Sequence, residues 1–490
     1  MTLNYLELLH ALLPEASLVL GALLVLGLDL TLGRRLSTDD RVRTATWIGL
    51  LSIAAAVYHS IDAGTAGAVF ANTLALDSLT LATRVGVLGL SALTLLLLPR
   101  VLALRHGAEY IAILLLATTG FTLMAAAQQL LVAFLAIELA SLSLYILVGF
   151  DKTRPESAEA ALKYFLFGAI SAAFLLFGFS LLYGLTGSIE FGEIAQQLRL
   201  QPLTPLLVVA LTMIVVAFGF KAAAAPFHLW APDAYQGAPA SSAALVASAS
   251  KLAGLVVFTR LLWHGAGPVA GNVASASTYP GWLPILGVLA ALSLLLGNIA
   301  ALAQSNVRRL LAYSAIAHAG ALLLGVMVAG TAGPSPLFYY AATYGIATVG
   351  AFGVIAVVER ASGRCDALAD LAGLHRRSPF LALCLLVFVL SLAGIPPLAG
   401  FFGKFAVFAA ALKLGGLSGM AGWLAILAIL MSAVGLYYYL LILKQALVAA
   451  PPPGAPRIAV PPAPWFALLV AVALLVLLGI FPSVLLTAVA

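Results

Sequence analysis

The sequence predicts an all-α polytopic membrane protein of about fourteen transmembrane helices, with two inverted five-helix repeats that each contain a broken helix. Three observations lead to this prediction: the composition, the recurrence of long apolar runs, and two runs interrupted by proline. Of 490 residues, 63% are hydrophobic and only 9% are charged, and the mean hydropathy is +1.12. Because soluble globular chains carry roughly a quarter charged residues, the composition excludes that class.

Apolar runs of about 20 residues, long enough to cross a bilayer, recur along the whole chain. They lie at 10–32, 43–60, 78–99, 109–127, 129–149, 160–185, 204–225, 239–263, 282–303, 307–329, 337–360, 379–413 (broken), 423–447 and 465–487. We group them into leading helices 1–3 (1–100), a first repeat of helices 4–8 (101–265), a second repeat of helices 9–13 (280–447) and a C-terminal helix (465–487).

Two of the runs are interrupted, and they occupy corresponding places in the two halves. One breaks at Pro226 and the other at Ile395-Pro396-Pro397. Proline removes an amide donor and clashes with the preceding turn, which frees carbonyl groups inside the membrane. Paired broken helices are typical of inverted repeats with an ion site near the bilayer midplane.

Basic residues alternate between successive loops and so predict the orientation. The odd-numbered loops hold Arg34, Arg35, Arg41, Arg43, Arg100, Arg105, Lys152, Arg154, Arg308, Arg309, Arg360, Arg364, Arg376, Arg377, Lys444 and Arg457. The even-numbered loops hold little beyond Arg199, Arg260 and Lys413. We therefore expect the odd loops in the cytoplasm and both termini on the opposite side. The N-terminus carries Glu7 and Glu15 and no basic segment, so we expect the first span to be retained.

Several function classes find no support in the sequence. The net charge of +6 reflects arginine-rich loops, and no basic face with interleaved aromatic residues predicts nucleic-acid binding. Cys365 and Cys384 are too few for an iron–sulfur cluster or a disulfide framework. No glycine-rich nucleotide fingerprint and no zinc-ligand spacing is present. We expect no redox cofactor and no metal in this chain.

Glu138, Lys221 and Lys251 are the strongest candidates for function. Glu138 lies about ten residues from either end of its apolar run, which places it near the bilayer centre. Lys221 and Lys251 can both lie deep only if the chain turns back between them, as the intervening prolines permit. Buried charges are costly in a membrane and usually mark ion pathways. The alternatives are a protonated, hydrogen-bonded Glu138 and a Lys221 whose ammonium reaches the interface.

Four further residues are candidates: Lys404 for proton translocation itself, and His228, His318 and Lys163 for a proton relay. His228 lies two helical turns beyond Lys221, and His318 lies within a later apolar run. Lys404 follows the second proline break, where we expect it to serve as the exit of a second half-channel. Lys163 is either a second charge near Glu138 or a side chain that reaches the interface near Lys152. In contrast, Arg84, Glu109 and Asp29 lie near predicted span ends, and we expect them at the interface.

These residues allow a mechanism without substrate chemistry. If the ion pair of Glu138 and Lys221 forms and breaks, Lys221 can take up and release a proton. The proton would pass to Lys251 through histidines and water, and would leave by way of Lys404. The energy must then come from elsewhere, which implies a larger complex.

Four stretches carry a resemblance to a known family: K-A-A-A-A-P-F-H-L-W-A-P-D-A-Y-Q-G-A-P, S-K-L-A-G, L-A-Y-S-A-I-A-H-A-G and G-I-P-P-L-A-G-F-F-G-K-F. They resemble the subunit N family of bacterial NADH:quinone oxidoreductase, respiratory complex I. The resemblance covers about residues 100–450 and implies two inverted five-helix repeats. It places Glu138, Lys221, Lys251 and Lys404 where that family has its ion-pair glutamate and channel lysines. Lys163 and His228 also fall on family positions.

The resemblance further implies a translocase subunit of the bacterial inner membrane. Such subunits pump protons, driven by quinone reduction in neighbouring subunits, and contact other antiporter-like and small membrane subunits. They bind neither NADH nor flavin, because the FMN, iron–sulfur clusters, NADH and quinone of the whole complex belong to other subunits. We therefore expect this chain to bind no cofactor.

Three alternatives remain open. A subunit of a multisubunit Na⁺/H⁺ antiporter would share the fold, although those related to subunit M carry a glutamate where Lys404 stands. A membrane-bound hydrogenase subunit is a second rival. A purely structural membrane scaffold is the third, and it predicts that replacing Lys221, Lys251 or Lys404 with alanine leaves pumping intact.

Overall fold

The computed structural model describes residues 5–31, 33, 36–98, 100–274, 280–363 and 365–489, with the side chains of 100–105 excepted. Arg34, Arg35 and Arg364, and the side chains of Arg100 and Arg105, therefore lie outside the described residues. Within the described part, 13 helices are long and apolar enough to cross a membrane. The broken pair at 379–415 adds a fourteenth crossing, which confirms the prediction of an all-α polytopic membrane protein.

The leading part contains three membrane-length helices and a small hairpin. Its elements are α1 (Tyr5–Ala11), α2 (Leu13–Leu30), α3 (Thr38–Asp62), β1 (Gly67–Val69), β2 (Leu74–Leu76) and α4 (Ser78–Leu96). Helices α3 and α4 begin where the side chains of Ser37 and Asp77 accept the amides of Asp40 and Thr80, as N-cap residues do. The antiparallel hairpin was not predicted.

The first broken helix lies in the next group of elements. These are α5 (Arg100–Ala126), α6 (Leu130–Val148), α7 (Pro155–Thr186), α8 (Phe191–Arg199), α9 (Pro205–Ala222), α10 (Trp230–Gly237), α11 (Ala240–Ala247) and α12 (Ala249–Arg260). The predicted break at Pro226 is present between α9 and α10. The predicted span at 239–263 is present as Ala240–Gly265, and within it Ser248 (φ −116°, ψ −84°) separates α11 from α12.

The second broken helix lies in the last group. Its elements are α13 (Trp282–Leu302), α14 (Val307–Ala332), α15 (Ser335–Ser362), α16 (Leu374–Arg377), α17 (Pro379–Ala393), α18 (Ala399–Gly415), α19 (Met420–Leu447), α20 (Pro462–Ile480) and α21 (Ser483–Leu486). The predicted break is present between α17 and α18, where Gly394 adopts a φ of +86°. The last span ends at Ile480 rather than at 487, because Pro482 stops α20.

The middle spans form the core, and the outer spans face the membrane. All of the most apolar window of Ala240–Gly265 and of Ser335–Ser362 is buried inside the protein, as is 94% of that of Val307–Ala332. Only 33% is buried for Leu13–Leu30 and for Pro462–Ile480. Charged side chains on α11, α12, α14 and α15 are therefore shielded from lipid by the chain itself.

The same pair of backbone hydrogen bonds occurs at two places in the chain, and each residue of the second pair follows its counterpart in the first by the same number of positions. The amides of Leu130, Phe191, Val307 and Leu368 donate to the carbonyls of Ile189, Gln128, Asp366 and Ser305, respectively. The same interval relates Gly120 to Gly297, and each of these glycines lies against the helix that follows, because a β-carbon would come within 3.0 Å of its backbone. Helices α6 and α14 thus begin with equivalent backbone hydrogen bonds, and each packs closely against a glycine of the helix before it.

These two helices run in opposite directions through the membrane. Arg154, just beyond the end of α6, lies 3.4 Å from Glu359 and 3.5 Å from Asp366. Arg308, at the start of α14, lies 2.8 Å from the same Glu359. The end of α6 and the beginning of α14 are therefore on one side of the membrane.

Candidate functional site

Lys221 lies in the last turn of α9, immediately before the first helix break. Its side chain is 7% exposed, and its Nζ donates to the hydroxyl of Ser141 on α6 at 2.9 Å. A β-carbon on Gly254 of α12 would lie 3.3 Å from Lys221 Cγ, so the lysine stem passes directly over this glycine. A cation in the last turn also interacts favourably with the helix dipole.

Glu138 lies on α6 one turn before Ser141 and faces Lys221. The two residues line one cavity of about 20 Å³, which has room for about one water molecule. Among the described residues, no carboxylate oxygen of Glu138 lies within 4.0 Å of the Lys221 ammonium. The pair is thus open in this structure, and a water in the cavity could bridge it.

Lys251 lies in the first turn of α12, just after the Ser248 break. Its side chain is 3% exposed, and its Nζ donates to the carbonyl of Ala315 on α14 at 2.7 Å. The ammonium also lies 5.4 Å from the centre of the Tyr344 ring on α15, which is cation–π range. A backbone carbonyl and an aromatic face therefore take the place of a carboxylate here.

His318 lies one turn beyond Ala315 on α14 and is 5% exposed. Its Nδ1 lies 2.6 Å from the Tyr340 hydroxyl, and its Nε2 lies 3.1 Å from the Tyr439 hydroxyl. The imidazole centre is 4.8 Å from that of Tyr344, the ring over which Lys251 sits. Both ring nitrogens are therefore hydrogen-bonded to tyrosine hydroxyls, and the imidazole packs against the ring that Lys251 faces.

Lys404 lies on α18, just after the second break. Its Nζ donates to the carbonyl of Ala393, the last residue of α17, at 3.0 Å. It shares a cavity of about 20 Å³ with His318, Tyr340 and Tyr439. On its other side it borders an outward apolar cavity of about 320 Å³. Lys404 therefore stands between the internal tyrosine–histidine cluster and the membrane-facing surface.

The structure thus brings Glu138, Lys221, Lys251, His318 and Lys404 into one row inside the membrane-spanning region. Glu138 shares a cavity with Lys221, and His318 shares one with Lys404. Lys221 lies against Gly254, one turn beyond Lys251 on α12, and Tyr344 contacts both Lys251 and His318. None of the three lysines lies within 4.0 Å of a carboxylate in the described part of the chain. Since an ammonium in hydrocarbon is costly, each is held instead by a hydroxyl or a carbonyl.

His228 is not joined to this row. It lies in the turn between α9 and α10 and is half-buried. Its Nδ1 finds no hydrogen-bond partner, and neither ring nitrogen bonds to a lysine of the described chain. Its predicted relay role therefore has no contact to support it in this conformation.

Lys163 is also separate from Glu138. Its Nζ lies 2.6 Å from Glu159 and 2.8 Å from Asp233 of α10. Arg309 of α14 binds the other Asp233 oxygen at 2.6 Å. Burial acts to raise the pKa of Asp233, but the hydrogen bonds from Lys163 and Arg309 outweigh it and leave this pKa below its usual value. Asp233 therefore anchors α10 to both halves of the protein as a charged carboxylate.

Some polar residues were missed or misplaced by the sequence analysis. Ser141 could have been found, because it lies one turn from Glu138 on the same helical face. The partners Tyr340, Tyr344 and Tyr439 gave no signal, since tyrosines are common in membrane helices. Arg84 is buried inside the protein: its side chain is 1% exposed and lies 2.9 Å from Glu15, which is 6% exposed, a pairing that was not predicted.

The comparisons with known proteins agree with one another. The family model described as NADH:quinone oxidoreductase/Mrp antiporter, transmembrane region, matches residues 127–435. NADH-quinone oxidoreductase subunit N 2 of Acidobacterium capsulatum is 48% identical over 493 residues, and the match covers 98% of each chain. The matched family region contains all of the predicted site residues.

Solved structures give the same result. A chain of respiratory complex I from Thermus thermophilus with bound aureothin is 34% identical, with a TM-score of 0.79 and coverage of 97% of this chain and 99% of that one. A chain of the Mrp complex from Dietzia sp. also reaches a TM-score of 0.79, covering 100% of this chain and 96% of that one, but at 20% identity. The second likeness concerns the fold alone.

Proposed function

The chain belongs to the NADH:quinone oxidoreductase/Mrp antiporter family of membrane subunits, and from this premise we propose that it translocates protons as subunit N of NADH:quinone oxidoreductase. Its partners are the other membrane subunits of that complex, and its surroundings are a bacterial inner membrane. The redox cofactors, FMN and iron–sulfur clusters, and the substrates NADH and quinone belong to the other subunits. This chain contributes the proton path.

One observation carries the proposal: the row of ionisable groups that runs from the half-buried Glu138 through the buried Lys221, Lys251 and His318 to the half-buried Lys404. Three ammonium groups without a carboxylate partner have no purely structural explanation, because an apolar side chain would pack equally well. Intramembrane ionisable residues that face the protein interior are typical of proton relays.

The geometry supports a stepwise transfer. When the Lys221 ammonium moves from Ser141 toward Glu138, the carboxylate stabilises its charge; when it returns, its proton can pass on. Lys251 receives the proton beside Tyr344, and the hydroxyls of Tyr340 and Tyr439 connect His318 to the cavity of Lys404. Lys404 releases it. His228 and Lys163 remain candidates for the entry of protons rather than members of this row.

We further propose that the protein consists of leading helices (1–100), two inverted repeats (101–265 and 280–447) and a C-terminal helix (465–487). The equivalent hydrogen bonds at Leu130 and Val307 and the opposite directions of α6 and α14 support this division. The loops that contain Arg154 and Arg308 lie on one side, which the positive-inside rule assigns to the cytoplasm. Both termini would then lie outside the cytoplasm.

The sodium/proton antiporter alternative has weaker support. The likeness to the Mrp chain is one of fold at 20% identity, whereas subunit N relatives reach 48%. Lys404 also stands where relatives of subunit M would carry a glutamate.

Two lysines on α18 allow a matched test. Lys404 lies in the row, whereas Lys413 is exposed near the end of the same helix. We expect Lys404→Ala to lower the proton flux of inverted membrane vesicles at least tenfold and Lys413→Ala to leave it near the wild-type value. Assembly is checked by co-purification of the other subunits. Equal proton fluxes in the two variants would contradict the proposed role of the row.

A further inference from the structure

Ser141 is the only hydrogen-bond partner of the Lys221 ammonium among the described residues. Its side chain is 3% exposed. Its hydroxyl donates to the carbonyl of Ile137 at 2.7 Å and accepts from Lys221 Nζ at 2.9 Å. Because the hydroxyl proton is already engaged by the backbone, a lone pair of the oxygen is what faces the lysine.

Ser141 and Glu138 are alternative partners for this ammonium. They lie one turn apart on the same face of α6, and both line the cavity of about 20 Å³ that Lys221 also lines. With the lysine on Ser141, the Glu138 carboxylate lies beyond ion-pair distance. The position of the serine therefore sets whether the ion pair is open or closed.

The second half of the chain has a proton-handling group at the corresponding place. The interval that relates Leu130 to Val307, and Gly120 to Gly297, also relates Ser141 to His318. Both side chains face the cavity next to a broken helix: Ser141 with Lys221 and His318 with Lys404. Two different residue types thus serve equivalent lysine cavities.

We propose that Ser141 is a positioning residue for proton translocation: its hydroxyl holds the Lys221 ammonium apart from Glu138, as the first-half counterpart of His318. This inference rests on the proposed proton-pumping function. Without the hydroxyl the ammonium loses its only open-state partner and remains with Glu138, so the pair no longer cycles between its open and closed arrangements.

Ser143 supplies a matched control on the same helix. It is also buried, at 5% exposure, and its hydroxyl likewise bonds the carbonyl four residues earlier, at 2.8 Å. It contacts no lysine in the described chain. Removing either hydroxyl therefore removes one equivalent hydrogen bond to the backbone of α6, and only Ser141→Ala also removes the contacts to Lys221 and Tyr145.

The test measures proton flux per electron transferred to quinone, in inverted vesicles that contain the assembled complex. We expect Ser141→Ala to lower this ratio about tenfold, the order expected for one hydrogen bond to a charged group. Ser141→Thr retains the hydroxyl and restores the ratio, and Ser143→Ala leaves it unchanged. Ser141→Cys keeps the volume but is a weak acceptor, so it repeats the loss and replaces Ser141→Ala if that variant does not assemble.

A normal ratio in both Ser141→Ala and Ser141→Cys would overturn the inference. So would an equal loss in Ser143→Ala, or a failure of threonine to restore the ratio, since either result means that packing is what matters. Lys221→Ala separates the two proposals. If that variant loses pumping while Ser141→Ala does not, only the role of Ser141 is wrong; if Lys221→Ala pumps normally, the proposed function is wrong.

Discussion

Replacing Asp77 with asparagine removes one charge from a half-buried ion pair and changes little else. Arg260, near the end of α12, is 1% exposed, whereas Asp77, the N-cap residue of α4, is 41% exposed. The guanidinium donates to both Asp77 oxygens, at 2.8 and 2.5 Å, and to the Thr80 hydroxyl at 2.8 Å. This contact fixes the helix that carries Lys251 against the leading helices.

The magnitude follows from burial and capping. Removing one partner of a fully buried ion pair costs about 3–5 kcal/mol. Because Asp77 is partly in water and Arg260 keeps its hydrogen bond to Thr80, we expect Asp77→Asn to lower the free energy of local unfolding by about 1–3 kcal/mol. Asparagine caps a helix as well as aspartate does, so the Thr80 amide keeps its acceptor. Asp77→Ala also removes that acceptor and should cost about 1 kcal/mol more.

Hydrogen exchange of the assembled complex measures this effect locally. Protection of amides near the end of α12 should fall roughly five- to a hundredfold in Asp77→Asn. Protection at the start of α4 should fall further only in Asp77→Ala. Unchanged protection in Asp77→Asn, or equal loss at the start of α4 in both variants, would refute the reasoning.

The pH dependence of this effect has a definite sign. Burial acts to raise the pKa of Asp77, but the hydrogen bonds and charge of Arg260 lower it to about 2. A carboxylate whose pKa is lower in the folded state stabilises above its unfolded pKa of about 3.9 and loses that contribution as the pH falls through its folded value. The difference between wild type and Asp77→Asn should therefore be constant from about pH 5 to 8 and shrink below about pH 4.

Two further predictions concern the candidate site. Gly254→Ala places a methyl group 3.3 Å from Lys221 Cγ, so the lysine stem must shift by a few tenths of an ångström. We expect the proton flux of this variant to fall severalfold. The control is Gly184→Ala, which has open space around the new methyl group and should pump normally. Asp233→Asn leaves Lys163 and Arg309 without the charge they share, and limited proteolysis of the complex should then cut faster near α10. Asp233→Glu keeps the charge and should keep most of the resistance, and equally fast cutting in both variants would contradict the anchoring role.

Much of the fold could be predicted from the sequence because its signals are local. Runs of about twenty apolar residues are long enough to span a bilayer, and Pro226 and Pro397 lie within such runs, where proline interrupts a helix. The break at Ser248 has no such signal, since neither proline nor glycine stands there. It follows from packing against α4 and α15, which no local pattern reports.

In the candidate site too, the residues with a local sequence signal could be predicted and their long-range partners could not. Lys221, Lys251 and Lys404 were predicted because a charged lysine in an apolar run is costly and usually has a function. Their partners come from helices far away in the sequence, such as the carbonyl of Ala315 for Lys251. Lys163 was expected either near Glu138 or at the interface near Lys152, whereas the packing of α7 against α10 brings it to Asp233.

The two chambers beside Lys221 and Lys404, about 20 Å³ each, have room for about one water molecule apiece. A continuous file of water would conduct protons whenever a gradient exists. A single water molecule must reorient after each proton transfer before it can accept another proton. A chamber of this size also has no room for a hydrated sodium ion. Conduction is then tied to movements of the side chains themselves, so a resting subunit holds back the gradient that a working one builds.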